Sequence, residues 1–325
     1  MPDIWLAWTA ILAGFVGLIW SADRFVGGSA VIAKKIGVSK LVIGLTIVSL
    51  GTSAPEIVVS ISSSLKAAGE LAVGNALGSN LANIGLVLGA TALVAPMPIQ
   101  RHLLTQEIPF LLLVTASAGI VLFDGTISFW EGASLITSLV LILIWVIKYK
   151  KHTDSSEEEE TETPESTTQK AVFWFAIGLA TLILSSEILV WGAQIIATDF
   201  GVSPLIIGLT VIAVGTSLPE LAASVISALK GHHEMALGNI IGSNIFNIMA
   251  VMAIPGIISP PSMDSIVFNR DFLSMAGITA ILSAAIAVDY FLRNRGEGSS
   301  DAYLGKRIGC LLLSCYIAYY YLLFS

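Results

Sequence analysis

The chain has 325 residues, of which 55% are hydrophobic and only 12% are charged, and its mean hydropathy is +0.85. An ordinary soluble domain carries roughly 25% charged residues, so this composition excludes a soluble protein and predicts one whose partner is the lipid bilayer. The formal net charge of −7 says little about other partners, because much of the acidic excess lies in the single segment 154–165. We expect no nucleic-acid partner.

The N-terminal stretch "MPDIWLAWTAILAGFVGLIW" starts without a positive charge and is apolar for a full span, which favours a first transmembrane helix over a cleaved signal peptide. Further stretches are long enough to cross about 30 Å of hydrocarbon at about 1.5 Å per residue. The apolar stretches are 4–22, 39–65, 71–95, 103–123, 129–147, 171–197, 203–229, 235–259, 271–292 and 304–324. The sequence therefore predicts an all-α polytopic membrane protein with ten transmembrane helices.

The segment 148–170 is polar, acidic and nearly free of apolar residues. It cannot bury enough surface to fold alone, so we interpret it as a linker. The chain then divides into 1–147, the linker 148–170, and 171–325. The two cysteines lie five residues apart in the last apolar stretch, a poor helical spacing for a disulfide, so we expect free thiols.

The two halves of the chain repeat each other. An offset of 164 positions aligns 37–84 with 201–248 without a gap, with about 26 of the 48 positions identical. The same offset pairs Asp23 with Glu187 and Glu107 with Asp271, so the duplication extends over five helices in each half. An odd number of spans per half makes the second half enter the membrane from the opposite side, which predicts two inverted-topology repeats.

The distribution of Lys and Arg predicts the orientation. Most of these residues lie in loops on the same side as the linker, and the opposite side holds only Lys66 and Arg270. The positive-inside rule then places the linker in the cytoplasm and both termini outside a cell (inner) membrane.

A motif with a proline and a glutamate interrupts the second span and recurs in the seventh: "SLGTSAPEIVVS" at 49–60 and "AVGTSLPELAAS" at 213–224. Pro55 cannot donate a hydrogen bond to the carbonyl of Gly51, so we expect a kink or break around Gly51–Thr52 that frees backbone carbonyls. Residues four apart share a helix face, so carboxylate and hydroxyl groups form one stripe in each copy: Thr52, Glu56 and Ser60, and Thr216, Glu220 and Ser224.

The third and eighth spans contribute "GNALGSNLAN" (74–83) and "GNIIGSNIFN" (238–247). Their glycines, four apart, allow two helices to approach closely. The polar residues share a face in each copy: Asn75, Ser79 and Asn83, and Asn239, Ser243 and Asn247. Close packing would bring these oxygens beside the glutamates, and oxygen ligands without nitrogen or thiolate suit hard cations such as Ca²⁺ and Na⁺.

Structural roles compete with this interpretation. The motif glycines are expected to serve packing alone, and the Ser and Asn side chains could form only interhelical hydrogen bonds. A carboxylate in the middle of a span indicates function by default, which favours Glu56 and Glu220. Other acidic or metal-ligating residues are weaker candidates, because they lie at boundaries, at helix starts, or in runs without metal-ligand spacing: Asp23, Glu107, Asp271, Glu157–Glu160 and His232–His233. Glu187 lies deeper, and both readings stay open for it.

The doubled motifs resemble the two alpha-repeats of the calcium/cation antiporter superfamily, specifically the prokaryotic Na⁺/Ca²⁺ exchanger-like membrane proteins. This resemblance covers essentially the whole chain and implies an inverted five-plus-five helix fold, with a site where helices two, three, seven and eight meet. It implies Glu56 and Glu220 as shared Ca²⁺ and Na⁺ ligands. The other implied contributions are backbone carbonyls of Thr52 and Thr216, Na⁺ ligation by Ser53 and Ser217, hydroxyls of Ser79 and Ser243, and the matched positions Asn83 and Asn247.

One departure from that family concerns Asn247. Some relatives carry Asp at this position, whereas this chain has Asn in both halves, at 83 and 247. The formal charge of the implied site is then about −2 if both glutamates ionise, which balances one Ca²⁺ or two Na⁺.

The sequence thus predicts a secondary active antiporter that exchanges Ca²⁺ for Na⁺ by alternating access, with the ions as substrates and no cofactor. A Ca²⁺/H⁺ antiporter is the alternative, because protonation would neutralise the same carboxylates equally well. A cation channel is disfavoured by the inverted repeat and the lack of an obvious pore loop. An enzyme is disfavoured because no His or Cys accompanies the glutamates.

Overall fold

The structure, a computed structural model, describes residues 4–149, 167–201, 211, 213–293 and 302–324. Most of the predicted linker and the beginning of the predicted seventh span lie outside the described residues. The α-helices are α1 (Ile4–Ile36), α2 (Lys40–Ile43), α3 (Ser49–Thr52), α4 (Ala54–Leu65), α5 (Gly69–Ala82), α6 (Gly89–Val94), α7 (Ile108–Leu122), α8 (Phe129–Tyr149), α9 (Thr168–Asp199), α10 (Ala213–Thr216), α11 (Leu218–Leu229), α12 (His233–Phe246), α13 (Ala253–Ile258), α14 (Leu273–Arg293) and α15 (Lys306–Phe324). Segments of π-helix lie at Gly44–Val48, Asn83–Leu88, Leu103–Glu107, Asn247–Val251 and Val267–Phe272, and strand β1 (Met97–Pro98) pairs antiparallel with β2 (Tyr303–Leu304).

Within the described residues, each predicted span coincides with helix. In the described part of the chain, seven helices are long and apolar enough to cross a membrane, and an eighth span is formed if the bent pair Lys40–Thr52 and Ala54–Leu65 counts as one. One of the other two predicted spans corresponds to α10 and α11, and its beginning lies outside the described residues. The other corresponds to the 19-residue α15. The first helix extends beyond its predicted span 4–22: α1 has 33 residues, about 50 Å.

The proline motif breaks the helix in both repeats. α3 ends at Thr52 and α4 begins at Ala54, bent by 46°, and α10 and α11 are separated in the same way at Ser217. Ser53 (φ −83°, ψ 9°) and Ser217 (φ −88°, ψ 3°) have nearly the same backbone conformation. The break falls at Ser53 and not at Gly51–Thr52 as predicted, because a proline is tolerated in the first turn of a new helix.

The chain forms two compact units, each built from segments of both repeats. The first comprises residues 1–55 and 146–239, and its core is the pairing of α1 with α9. A Cβ added at Gly178 would lie 2.6 Å from the Phe25 nitrogen, and one at Gly192 would lie 2.6 Å from the Ala7 carbonyl oxygen. The two helices therefore pack backbone against backbone, which only small residues permit.

The second unit comprises residues 56–145 and 240–325. Here α15 packs against the π-helical part of the third span and α6, where a Cβ on Gly309 would lie 2.7 Å from the Gly89 carbonyl oxygen. Two polar contacts also join its helices: Ser60 Oγ donates to the Val251 carbonyl at 2.7 Å, and Asn80 Nδ2 donates to the Asn244 carbonyl at 3.2 Å. Each is buried, so it is not replaced by water.

Candidate functional site

Five of the predicted site residues belong to the first unit, and we call them the Glu220 cluster: Thr52, Ser53, Thr216, Ser217 and Glu220. Ser53 Oγ donates a hydrogen bond of 2.9 Å to Glu220 Oε1, and both side chains are fully buried. A hydroxyl bonded to a carboxylate is among the stronger hydrogen bonds. Ser217 is also buried, but its hydroxyl finds no hydrogen-bond partner among the residues that the structure describes.

The other five belong to the second unit and form the Glu56 cluster: Glu56, Ser79, Asn83, Ser243 and Asn247. All are buried. Ser79 Oγ donates to Glu56 Oε1 at 3.4 Å, long for a bond between oxygens and therefore weak. The structure thus places a serine hydroxyl beside each glutamate.

The helix breaks have an electrostatic consequence for the glutamates. Glu56 lies in the first turn of α4, and Glu220 lies in the first turn of α11. The N-terminal end of a helix carries partial positive charge and stabilises a carboxylate there, while the C-terminal end of the preceding segment presents carbonyl oxygens. Each break therefore supports a buried carboxylate and supplies oxygens that attract cations.

Asn83 and Asn247 begin corresponding π-helical segments, 164 residues apart. The wider turn appears in the bond from the Met252 amide to the Asn247 carbonyl, five residues back, at 2.9 Å. Within the described residues, neither side-chain amide has a hydrogen-bond partner for its nitrogen or its oxygen, although both are fully buried. Such groups are costly unless something binds them, and π-helical segments are frequent at functional sites.

Asn239 is a residue that the prediction left outside the site. Its Nδ2 donates to Ser224 Oγ at 2.9 Å and to the Glu220 carbonyl at 3.4 Å, and its Oδ1 accepts from Thr52 Oγ1 at 3.1 Å. The available sequence signal was its position four residues before Ser243 on the predicted polar face.

The boundary carboxylates have partners in the described structure. Asp23 forms an ion pair of 2.7 Å with Lys230. The neighbouring Arg24 guanidinium lies 4.8 Å from the Trp174 ring centroid. Glu107 pairs with His102 at 3.0 Å. Asp271 pairs with Arg270 at 2.7 Å and accepts from Tyr319 at 3.1 Å. These contacts account for such carboxylates without a transported ion.

The paired histidines lie where the loop after α11 meets the start of α12. His232 lies in the loop between α11 and α12, where burial and nearby Lys40 and Lys230 lower its pKa from 6.5 to about 4. It is therefore neutral at neutral pH. Across the described ranges, no group of three or more His, Cys, Asp and Glu side chains could hold a metal ion.

Comparison with known proteins decides the family. The family model described as sodium/calcium exchanger protein matches residues 6–148 and 170–325. The chain belongs to this family. CaxA of Alkalimonas amylolytica is 46% identical over 322 residues, which cover 97% of this chain and 98% of CaxA. Inner membrane protein YrbG of Escherichia coli is 39% identical over 285 residues, which cover 86% of this chain and 88% of YrbG.

A solved structure extends the likeness to the fold. The sodium-calcium exchanger NCX_Mj superimposes with a TM-score of 0.81 at 31% identity, over 97% of this chain and 98% of NCX_Mj. Membership in the exchanger family confirms the predicted antiporter, with ions as substrates and no enzymatic activity. The match also confirms the predicted fold class, an all-α polytopic membrane protein with ten helices in an inverted repeat.

Proposed function

We propose that this exchanger-family protein exchanges Ca²⁺ for Na⁺ at one mid-membrane site whose charge comes from Glu56 and Glu220. The observation that supports this most is the pair of fully buried carboxylates, each in the first turn of a helix that begins after a break and each contacted by a serine hydroxyl. A purely structural role in helix packing would not require a carboxylate at these positions, because burying its charge is costly.

The proposed ligands are the members of the Glu220 and Glu56 clusters. The serines and Asn83 and Asn247 would supply side-chain oxygens, and Thr52 and Thr216 would supply backbone carbonyls at the helix breaks. All are oxygen donors, as Ca²⁺ and Na⁺ require. The buried amide oxygens of Asn83 and Asn247, for which the described part of the chain offers no hydrogen-bond partner, fit this role because each Oδ1 could ligate a cation.

The charge of the site explains exchange. Two glutamates with otherwise neutral ligands carry about −2, which one Ca²⁺ or two Na⁺ neutralise. An empty site keeps an uncompensated charge inside the membrane, which is costly to move, so reorientation requires a bound ion. Because both ions use the same carboxylates, binding of one displaces the other. An inward Na⁺ gradient then drives Ca²⁺ outward.

We further propose that the protein lies in the inner membrane with both termini outside and the linker 148–170 in the cytoplasm. The support is the concentration of Lys and Arg on the linker side and the similarity to YrbG, an inner membrane protein. The division into five-helix repeats 1–147 and 171–325 stays a prediction. Reporter fusions at the C-terminus and within the linker should report opposite sides, and fusions that report the same side would contradict the proposal.

The test of function is Ca²⁺ uptake by the purified protein in liposomes. Uptake should follow an imposed Na⁺ gradient and should remain small with a pH gradient or with neither. Glu56→Gln and Glu220→Gln should each abolish it, because each nearly isosteric change removes one of two charges. Undiminished exchange in either variant would contradict the site assignment. Uptake driven only by the pH gradient would identify H⁺ as the coupling ion, and uptake without any gradient would indicate a channel.

A further inference from the structure

Both amide hydrogens of the Asn239 side chain donate hydrogen bonds, and the polar residues that contact this side chain are buried. Its Nδ2 donates to Ser224 Oγ at 2.9 Å and to the Glu220 carbonyl at 3.4 Å, and its Oδ1 accepts from Thr52 Oγ1 at 3.1 Å. Asn239, Thr52, Ser224 and Glu220 are all fully buried. A carbonyl can only accept, so the bond to Glu220 fixes which side of the amide is the nitrogen.

These three bonds join three elements. Thr52 is the last residue of α3 before the break. Glu220 lies in the first turn of α11 and Ser224 about one turn further along it, and Asn239 itself is on α12. The neighbour of Thr52 in the chain is Ser53, whose hydroxyl donates to Glu220 Oε1 at 2.9 Å. Asn239 therefore holds the Thr52 side chain and the Glu220 backbone carbonyl, one on each side of the Ser53–Glu220 contact.

We propose that Asn239 is a positioning residue of the ion site, which sets the place of the Glu220 carboxylate relative to the end of α3. This rests on the proposed function, in which Glu220 binds the transported ion. Ca²⁺ ligands must lie within a narrow range of about 2.3–2.6 Å, and a site that is looser by about 1 Å loses much of its function. A shift of either helix end would therefore lower ion affinity.

The duplicated residue differs. Asn75 occupies the same position in the first repeat, but it is only half-buried, and its Nδ2 has no hydrogen-bond partner within the portion of the chain that the structure describes. The sequence motif is shared, whereas the three-way contact is observed at Asn239. The positioning role is therefore assigned from contacts and not from the motif.

Two substitutions separate the contributions of the amide. Asn239→Leu keeps the approximate volume and removes every hydrogen bond. Asn239→Asp keeps an acceptor for Thr52 but cannot donate to Ser224 or to the Glu220 carbonyl when ionised. The experiment measures Ca²⁺ uptake by purified protein in liposomes over a range of Ca²⁺ concentrations, with Na⁺ inside. It is combined with direct ⁴⁵Ca²⁺ binding to the purified protein.

We expect Asn239→Leu to raise the Ca²⁺ concentration for half-maximal uptake and the dissociation constant by about tenfold, because the lost buried hydrogen bonds are worth that factor or more. Thr52→Val removes the hydroxyl and keeps the backbone carbonyl, and it should raise both values several-fold. The double variant Asn239→Leu/Thr52→Val should bind Ca²⁺ no more weakly than Asn239→Leu alone, since both changes break the same contact. Ser79→Ala lies in the Glu56 cluster, so its fold-change in Ca²⁺ affinity should multiply with that of Asn239→Leu in the double variant.

The outcomes distinguish this inference from the proposed function. Normal exchange by Glu220→Gln would overturn the proposed function. Inactive Glu220→Gln together with an unchanged Ca²⁺ dissociation constant in Asn239→Leu would overturn the positioning role alone. The positioning role would also be overturned if the fold-changes in the Ca²⁺ dissociation constant of Asn239→Leu and Thr52→Val multiplied in the double variant. If Asn239→Leu does not accumulate as folded protein, Asn239→Asp takes its place, and unchanged Ca²⁺ affinity in that variant would count against the inference.

Discussion

Ser53 and Ser217 occupy the same position in the two repeats, yet their hydrogen bonds differ. Ser53 Oγ lies 2.9 Å from Glu220 Oε1 in a fully buried contact. A hydrogen bond to a charged group contributes about 1.5–3 kcal/mol. We therefore expect Ser53→Ala to destabilise the ion-free protein by about that amount, a factor of roughly 10 to 150 in the folding equilibrium.

Ser217→Ala is the matched control. Its buried hydroxyl has no hydrogen-bond partner in the described ranges, so its removal should be close to neutral. The assay is thermal unfolding of the purified proteins in one detergent, with Na⁺ and Ca²⁺ removed by choline buffer and chelator. The midpoint should fall in Ser53→Ala and stay near wild type in Ser217→Ala. Equal midpoints, or a larger fall in Ser217→Ala, would refute the reasoning.

Three further predictions concern packing, pH and the helix break. Gly238→Ala should lower the midpoint of thermal unfolding, because its Cβ would lie 2.6 Å from the Leu41 carbonyl oxygen. Gly277→Ala should not, because nothing lies within 4 Å of its Cβ. Equal midpoints in the two variants would contradict the close packing at Gly238. The pKa of His232 is lowered from 6.5 to about 4, so the unfolded state binds a proton at a higher pH than the folded state does. The free energy of unfolding should therefore fall by up to about 3 kcal/mol as pH drops from 6.5 to 4. His232→Gln should lose this pH dependence of stability, and a pH dependence that persists would exclude His232 as its cause. Pro55→Ala should slow Ca²⁺ uptake by letting the helix continue through the break, and wild-type uptake would show that the proline is dispensable.

The sequence alone predicts the break at Pro55 almost to the residue, because its cause is local: a missing amide hydrogen and a ring that clashes with the preceding turn. The same holds for the spans, which follow from apolar length, and for the repeat, which follows from matching letters. The proximity of Ser79 to Glu56 was also predictable, because both lie on polar faces of helices expected to pack closely. These features depend on one segment or on one repeated pattern.

Features that depend on contacts between distant segments were not predictable. The partner of Asp23 is Lys230, more than 200 positions away, and no periodicity within α1 indicates it. The preference of Arg24 for Trp174 equally requires knowledge of how α1 and α9 pack. The π-helical turns at Asn83 and Asn247 depend on surrounding packing, which a helical pattern of apolar residues does not encode.

The twin motifs are similar in sequence but differ in their contacts, and this difference bears on transport. Ser224 accepts a hydrogen bond from Asn239, whereas its counterpart Ser60 donates to the Val251 carbonyl. Asn239 is fully buried, whereas Asn75 is half-buried. In this conformation, matched residues of the two repeats therefore take different partners. A difference in conformation between the two halves is what alternating access by an inverted repeat predicts.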